Sequence, residues 1–279
     1  MRAFLRNATL GLVMVLAVFA NACTSSATRP NQATLTAQIL RSQQLATRMA
    51  ANLQSTSQVA DRQVTVTAQA IQSLLDTAAT WRAVFPMNFD ASSDAWLTGD
   101  DSNEYGSSKW TILQGKYHWE ASATQGMVWW SIPDMLPIAD FYLSVLANQI
   151  SGPPDSLLGL AFRVTGEEDG FYLFQVNTMG EYAVYQLENG DWIARVPWNS
   201  SPAFQAGQPN QLAVLGQGSH FYFFINGSLV DQMTDDNLPT GTAGLVIGLD
   251  NAGDTGAWEF ENFQVSTPPG LLIPTTPIP

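Results

Sequence analysis

Cysteine is almost absent from this chain. Cys23 is the only one in 279 residues, so no intramolecular disulfide forms, and a chain of this length needs none to bury a core. Histidine is nearly as scarce. His118 and His220 are the only two and lie far apart in sequence, so the Cys/His spacing of a zinc site is missing. Positive charge is also short, with 11 Lys and Arg against 24 Asp and Glu. Residues 85–279 hold 22 of those acids against Lys109, Lys116, Arg163 and Arg195 alone. A body so acidic repels phosphate backbones, which excludes nucleic acid as a partner. There is no Gly-x-Ser-x-Gly elbow, phosphate-cradling loop or dinucleotide fingerprint. Ser219 and His220 are neighbours on a strand, hence on opposite faces, and form no dyad.

Long apolar runs are missing too. Leu10–Ala20 is an unbroken stretch of eleven, short for a bilayer span and preceded by Arg2 and Arg6. It ends in Ala20-Asn21-Ala22-Cys23, so residues 1–23 read as a lipoprotein-type signal peptide, with Cys23 the lipidation site. Ala20 stands where a lipobox usually has Leu, which leaves ordinary Ala-x-Ala cleavage and a free thiol as the alternative. Acylation at Cys23 implies an extracytoplasmic protein anchored to a bacterial membrane. Residues 24–84 are the spacer and stalk. No Gly or Pro occurs from Thr34 to Ala83, and apolar or small residues recur at 4-3 steps from Leu35 through Ile39, Ala46, Met49 and Leu53, reaching Ala70, Leu74 and Trp81. That is a long N-terminal helix. It serves either as a solvated stalk or as a coiled coil through which copies self-associate.

From Phe85 the texture becomes all-β. About thirteen short alternating runs, the first at 109–113 and the last at 257–265, are separated by Gly, Asn, Asp and Pro. Asn189-Gly190 and Asn226-Gly227 mark tight hairpins. With no helices between the strands, residues 85–266 are expected to form a β-sandwich or jelly roll. Within 157–164, alternation puts Leu158, Leu160, Phe162 and Val164 on one face and Gly159, Ala161 and Arg163 on the other. Residues 267–279 are a Pro-rich tail with no recognisable motif.

Several runs carry a resemblance. They are Gly159-Leu160-Ala161-Phe162-Arg163, Phe171-Tyr172-Leu173-Phe174-Gln175-Val176, Gly180-Glu181-Tyr182, Trp198-Asn199-Ser200-Ser201, Phe224-Ile225-Asn226-Gly227 and Phe260-Glu261-Asn262-Phe263. In order and spacing they resemble concanavalin A-like lectin/glucanase domains, in particular the 3-keto-disaccharide hydrolase-like (family-16 glycoside hydrolase-like) branch. The resemblance spans Phe89 to Val265 and implies a jelly-roll sandwich with a groove on one curved sheet. That superfamily holds lectins, enzymes and adhesion modules, so three functions follow as expectations. The first is a membrane-anchored lectin-like module binding a carbohydrate. The others are a keto-glycoside hydrolase or lyase acting on oxidised disaccharides, and a protein-binding adhesion module.

Catalysis needs two carboxylates. Glu259 and Glu261 share a face of the last strand at about 6.5–7 Å between Cα atoms, but the third acid of the family-16 glucanase strand is missing, so no catalytic residue is assigned. Asp100-Asp101-Ser102-Asn103-Glu104, Asp235-Asp236-Asn237 and Asp250-Asn251-Ala252-Gly253-Asp254 are oxygen-rich turns in which calcium is the one cofactor to consider, although such residues also make turns unaided. Sugars stack on aromatic rings and bond planar polar groups. Eight of the nine Trp lie at or beyond position 96, and adjacent Trp129 and Trp130 must face opposite ways. The expected groove residues are Arg163, Gln175, Tyr182, Trp198 and Glu261, with Glu261 a possible ion-pair partner of Arg163.

Overall fold

The computed structural model describes residues 69–85, 95–166 and 170–269, together with Met49 and Phe89. The signal peptide, Cys23, most of the stalk and nearly all of the Pro-rich tail lie outside the described residues. No helix among the described residues is long and apolar enough to cross a membrane.

Two antiparallel sheets pack face to face. The larger contains β13 (Ser228–Thr234), β12 (His220–Ile225), β11 (Asn210–Gln217), β6 (Phe141–Ser151), β15 (Thr255–Thr267), β4 (Lys116–Ala123), β3 (Gly106–Leu113) and β2 (Gly99–Asn103), in that spatial order, with β1 (Arg82–Phe85) also pairing with β15. The smaller runs β10 (Asp191–Ser200), β9 (Glu181–Glu188), β8 (Gly170–Val176), β7 (Leu157–Val164), β14 (Thr242–Leu249) and β5 (Met127–Ser131). Alternate residues of both sheets interdigitate between them, among them Tyr117, Trp119, Leu143, Val145, Phe221, Phe223, Trp258 and Phe260 from the larger and Leu158, Leu160, Phe162, Tyr172, Phe174 and Ile247 from the smaller. Period-2 alternation of large apolar residues is what places one face of each strand in this core. The expected sandwich is the observed one.

Both Asn-Gly pairs turn hairpins. Asn189 and Gly190 sit at φ 52° and 86°, Asn226 and Gly227 at 50° and 76°, the double left-handed geometry that two-residue connections require. Strands β1 and β2 had no counterpart among the sequence-expected strands. β2 reads Gly-Asp-Asp-Ser-Asn with every residue exposed at the sheet edge, so no alternation marks it; the Asp100-Asp101 segment expected as a turn is in fact strand.

Alternation also fails once inside a strand, at Arg163. Phe162 pairs with Ala243 and Val164 with Thr242, leaving Arg163 as the extra residue of a bulge at φ 54°. The bulge inverts the pattern: Val164, expected beside Phe162, lies on the opposite face with Ala161 and Leu173. Gly241 makes this possible, because a Cβ there would stand 2.3 Å from the Arg163 carbonyl carbon.

The expected boundary at residue 85 falls inside the packed body. Residues 69–78 form a helix, α1, whose Ile71, Leu74, Leu75 and Ala78 recur at helical spacing and, with Trp81, cover Ala213, Leu215, Phe224, Tyr142 and Tyr222 on the outer face of β6, β11 and β12. This end of the expected stalk is thus a cover for an apolar patch. Trp81 is 8% exposed, so Trp81→Ala is expected to cost about 3 kcal/mol in urea unfolding, while near-UV signals of the inter-sheet aromatics persist in the folded protein.

Candidate functional site

The five residues expected to share one groove are scattered. Arg163 is 1% exposed, its side chain turned inward by the bulge. Nη1 donates to the Leu238 carbonyl at 2.7 Å and Nη2 to the Gly218 carbonyl at 2.9 Å, and the guanidinium lies over the Phe141 and Phe221 rings at 5.7 and 5.2 Å. Burial lowers its pKa, opposed by the Asp140 carboxylate. A fork of donors tying two loops over aromatic faces is a structural clamp. Tyr182, 2% exposed, points into the core and donates its hydroxyl to the Val230 carbonyl at 2.8 Å. Gln175 lies on the outer face of the smaller sheet, buried among apolar neighbours. Trp198 is 42% exposed on edge strand β10.

Glu261 belongs to the other sheet altogether. Lys116 Nζ bridges Glu261 Oε1 at 2.8 Å and Glu259 Oε2 at 3.0 Å, and His118 Nδ1 stands 3.3 Å from Glu259 Oε1. The two glutamates share the expected face. One ammonium between them serves both, and raises the Lys116 pKa in return. The cation of Glu261 is therefore Lys116 and not Arg163. At the Asp235 turn, Asp235 accepts the Tyr172 hydroxyl at 2.5 Å and pairs with Arg195 Nε at 3.2 Å. Among the described residues no group of three or more His, Cys, Asp or Glu is placed to hold a metal ion.

A site assembles elsewhere, from the curl of the smaller sheet. Trp129 and Trp130 divide as expected: Trp129 packs against the inter-sheet core and Trp130 against the outer face. On that face the row from Trp130 runs through Val246 and Gly159 to Gln175, four residues along β8 from Phe171. On a flat sheet Trp130 and Phe171 would stand about 19 Å apart. Their ring centroids are 5.3 Å apart, and Phe171 meets Trp192 of β10 at 5.7 Å. The twisted sheet therefore arches over its own outer face. Beneath the arch Leu157, Gly159, Ala161, Leu173 and Val246 form a buried apolar layer, against which Ile132, just past β5, also packs.

Beside it opens a cleft of about 620 Å³, lined by Trp130, Trp192, Tyr105, Asn103, Asp250 and Trp129, among others. Tyr105 and Trp192 are 45% and 40% exposed. Tyr105 sits in the β2–β3 turn, where the Asn103 side-chain oxygen accepts its amide N–H at 2.8 Å and its carbonyl accepts the Thr124 amide at 2.9 Å. Asn103 itself lines the cleft. Burial, then the Asp155 and Asp254 carboxylates, raise the Asp250 carboxyl above its ordinary range. Three aromatic faces beside an amide and a single carboxylate can stack a ring and bond its hydroxyls; one carboxylate does not make an acid/base pair. A second cleft, about 480 Å³ along β2 to β4, is lined by Asp100, Asp101, Glu120, Lys109 and serines, with no aromatic.

Sequence reasoning missed Trp130, Trp192 and Tyr105. The paired tryptophans were the available signal, since one of them had to face away from the core. Trp192, two residues past Gly190, carried the same hint: the residue paired with Leu187 across the hairpin shares its outer face.

No family model matches the chain, and no curated protein matches it. Solved structures do. An endo-β-galactosidase from Clostridium perfringens that releases GlcNAcα1-4Gal superposes at a TM-score of 0.50 with 10% identity, over 68% of this chain and 63% of that one. A catalytic domain of an endo-1,3-β-glucanase from Thermotoga petrophila gives 0.49 and 8%, over 68% and 98%. The carbohydrate-binding module CBM66 from Bacillus subtilis gives 0.44 and 17%, over 64% and 99%. The likeness is one of fold, a jelly-roll sandwich consistent with a concanavalin A-like domain.

Because Arg163 clamps two loops, Arg163→Ala leaves both carbonyls unbonded and is expected to lower unfolding free energy by about 3 kcal/mol. Ligand titration of the variant below its melting temperature should match the parent. Loss of binding without loss of stability would return Arg163 to the site.

Proposed function

We propose that this chain is a carbohydrate-binding module whose site is the Trp130–Trp192–Tyr105 cleft. The observation that carries the reading is the exposure of aromatic rings around a concave space with Asn103 and Asp250 at its rim. Exposed aromatic area is costly unless a ligand covers it, and the C–H face of a pyranose does so while its hydroxyls meet the amide and carboxylate. The fold is one on which both glycan-binding and glycan-cleaving proteins are built, so the fold does not choose between them. The side chains favour binding. The Glu259–Glu261 pair is tied up by Lys116 on the other sheet, and the cleft has one carboxylate.

Titration against an array of neutral oligosaccharides tests the reading. Binding without product release is expected, and Trp192→Ala should weaken it about tenfold or more, as loss of one stacking face does, with the melting temperature held within a few degrees. Release of reducing ends, or binding indifferent to Trp192→Ala and Tyr105→Ala, would support the hydrolase or adhesion alternatives.

The same proposal places the module outside the cytoplasm on a lipid anchor. Its support is the sequence alone: a short apolar run after Arg2 and Arg6, small residues, then the only cysteine. Detergent-phase partitioning of the mature protein is expected and should vanish in Cys23→Ala. Unchanged partitioning would remove Cys23 as the anchor.

A further inference from the structure

The cleft has aromatic walls and a single charge. Asp250 is the one carboxylate among its lining residues, and no Lys, Arg or His joins it. Two further carboxylates stand behind Asp250: Asp155 from the β6–β7 connection and Asp254 from the turn before β15. The ion pairs among the described residues go to Glu259, Glu261 and Asp235, and the bonds accepted by Asp254 come from the Asn251 amides. Of the cations of the sandwich, Lys116, Arg163 and Arg195 are committed to partners elsewhere, and Lys109 lines the cleft along β2 to β4.

An unpaired carboxylate at a surface is ordinarily just solvated. Here it borders indole and phenol faces, whose quadrupoles attract the same sign of charge. Both features pull in a cation, and neither tolerates an anion in a space partly withdrawn from water.

We propose that the glycan taken by this cleft is basic: an oligosaccharide with free 2-amino sugars, whose ammonium meets Asp250 while the C–H face of its ring stacks on Trp192 or Tyr105. The proposal rests on the glycan-binding reading of the same cleft and adds the charge of the ligand. N-acetylation removes that charge and keeps the ring. Uronic-acid and sulfated glycans place a negative charge against Asp250 and are rejected.

Tryptophan fluorescence titrations of the whole chain at about pH 6, where a free amine is charged, separate the possibilities. The probes are chitosan tetrasaccharide, its fully N-acetylated counterpart and tetragalacturonate. The deacetylated sugar should bind about tenfold more tightly than the acetylated one, the value of one charge-assisted hydrogen bond, and the galacturonate should not bind. Asp250→Asn should erase the preference and leave N-acetylated binding in place. Equal binding of the two chitin-derived sugars, or a preference unmoved by Asp250→Asn, overturns the charge assignment while leaving the cleft a glycan site. If no sugar perturbs the fluorescence of either protein, the glycan reading falls and takes this proposal with it.

Discussion

Trp130 and Phe171 touch although two strands and four register positions separate their backbones on the smaller sheet. Only a twisted, arched sheet permits that contact, and the rest of the molecule follows from the arch. It closes over Leu157, Ala161, Leu173 and Val246, so this outer face is a second apolar core and offers no floor to a ligand. It pushes the accessible aromatic surface to the rim, where Trp192 and Tyr105 stand. Small residues make the curvature sterically possible. A Cβ on Gly159 would lie 2.3 Å from the Phe174 carbonyl oxygen, and one on Gly244 2.3 Å from that of Ser131. A single methyl at either point would force neighbouring strands apart.

Three of the few cations of the body are spent on structure. Arg163 closes one end of the sandwich through two loop carbonyls, Arg195 joins Asp235 and Gln186, and Lys116 holds Glu259 against Glu261. Each lies where backbone carbonyls or carboxylates would otherwise repel or go unbonded. What remains on the surface beside Lys109 is mostly carboxylate. The cleft inherits that imbalance through Asp250, and with it a preference for what the protein itself lacks.

The helix ahead of the sandwich shows how a surface element becomes part of a domain. Ala213, Leu215 and Phe224 on the outer face of β11 and β12 need a cover, and Leu74, Leu75, Ala78 and Trp81 supply it. The body therefore begins before the first strand.

Much of this architecture was legible in the residues. Alternation in β7 specified the strand and its inner face as far as Phe162, because each side chain's face depends only on its own neighbours. The Asn-Gly pairs specified two hairpins for the same local reason, and Trp129-Trp130 announced that one ring would leave the core. The site was not legible. Arg163 looked like a groove residue because strict alternation carried it outward, whereas a bulge permitted by Gly241, almost eighty positions away, turned it in. Tyr182 and Gln175 were read as polar residues seeking a ligand, yet Tyr182 bonds into strand β13 and Gln175 is buried on the outer face of the smaller sheet. Trp130, Trp192 and Tyr105 come from three separate stretches of chain, and nothing local marks them as neighbours. Periodicity determines which way a side chain points from its strand. Twist and curl, which arise from all six strands together, decide what it points at.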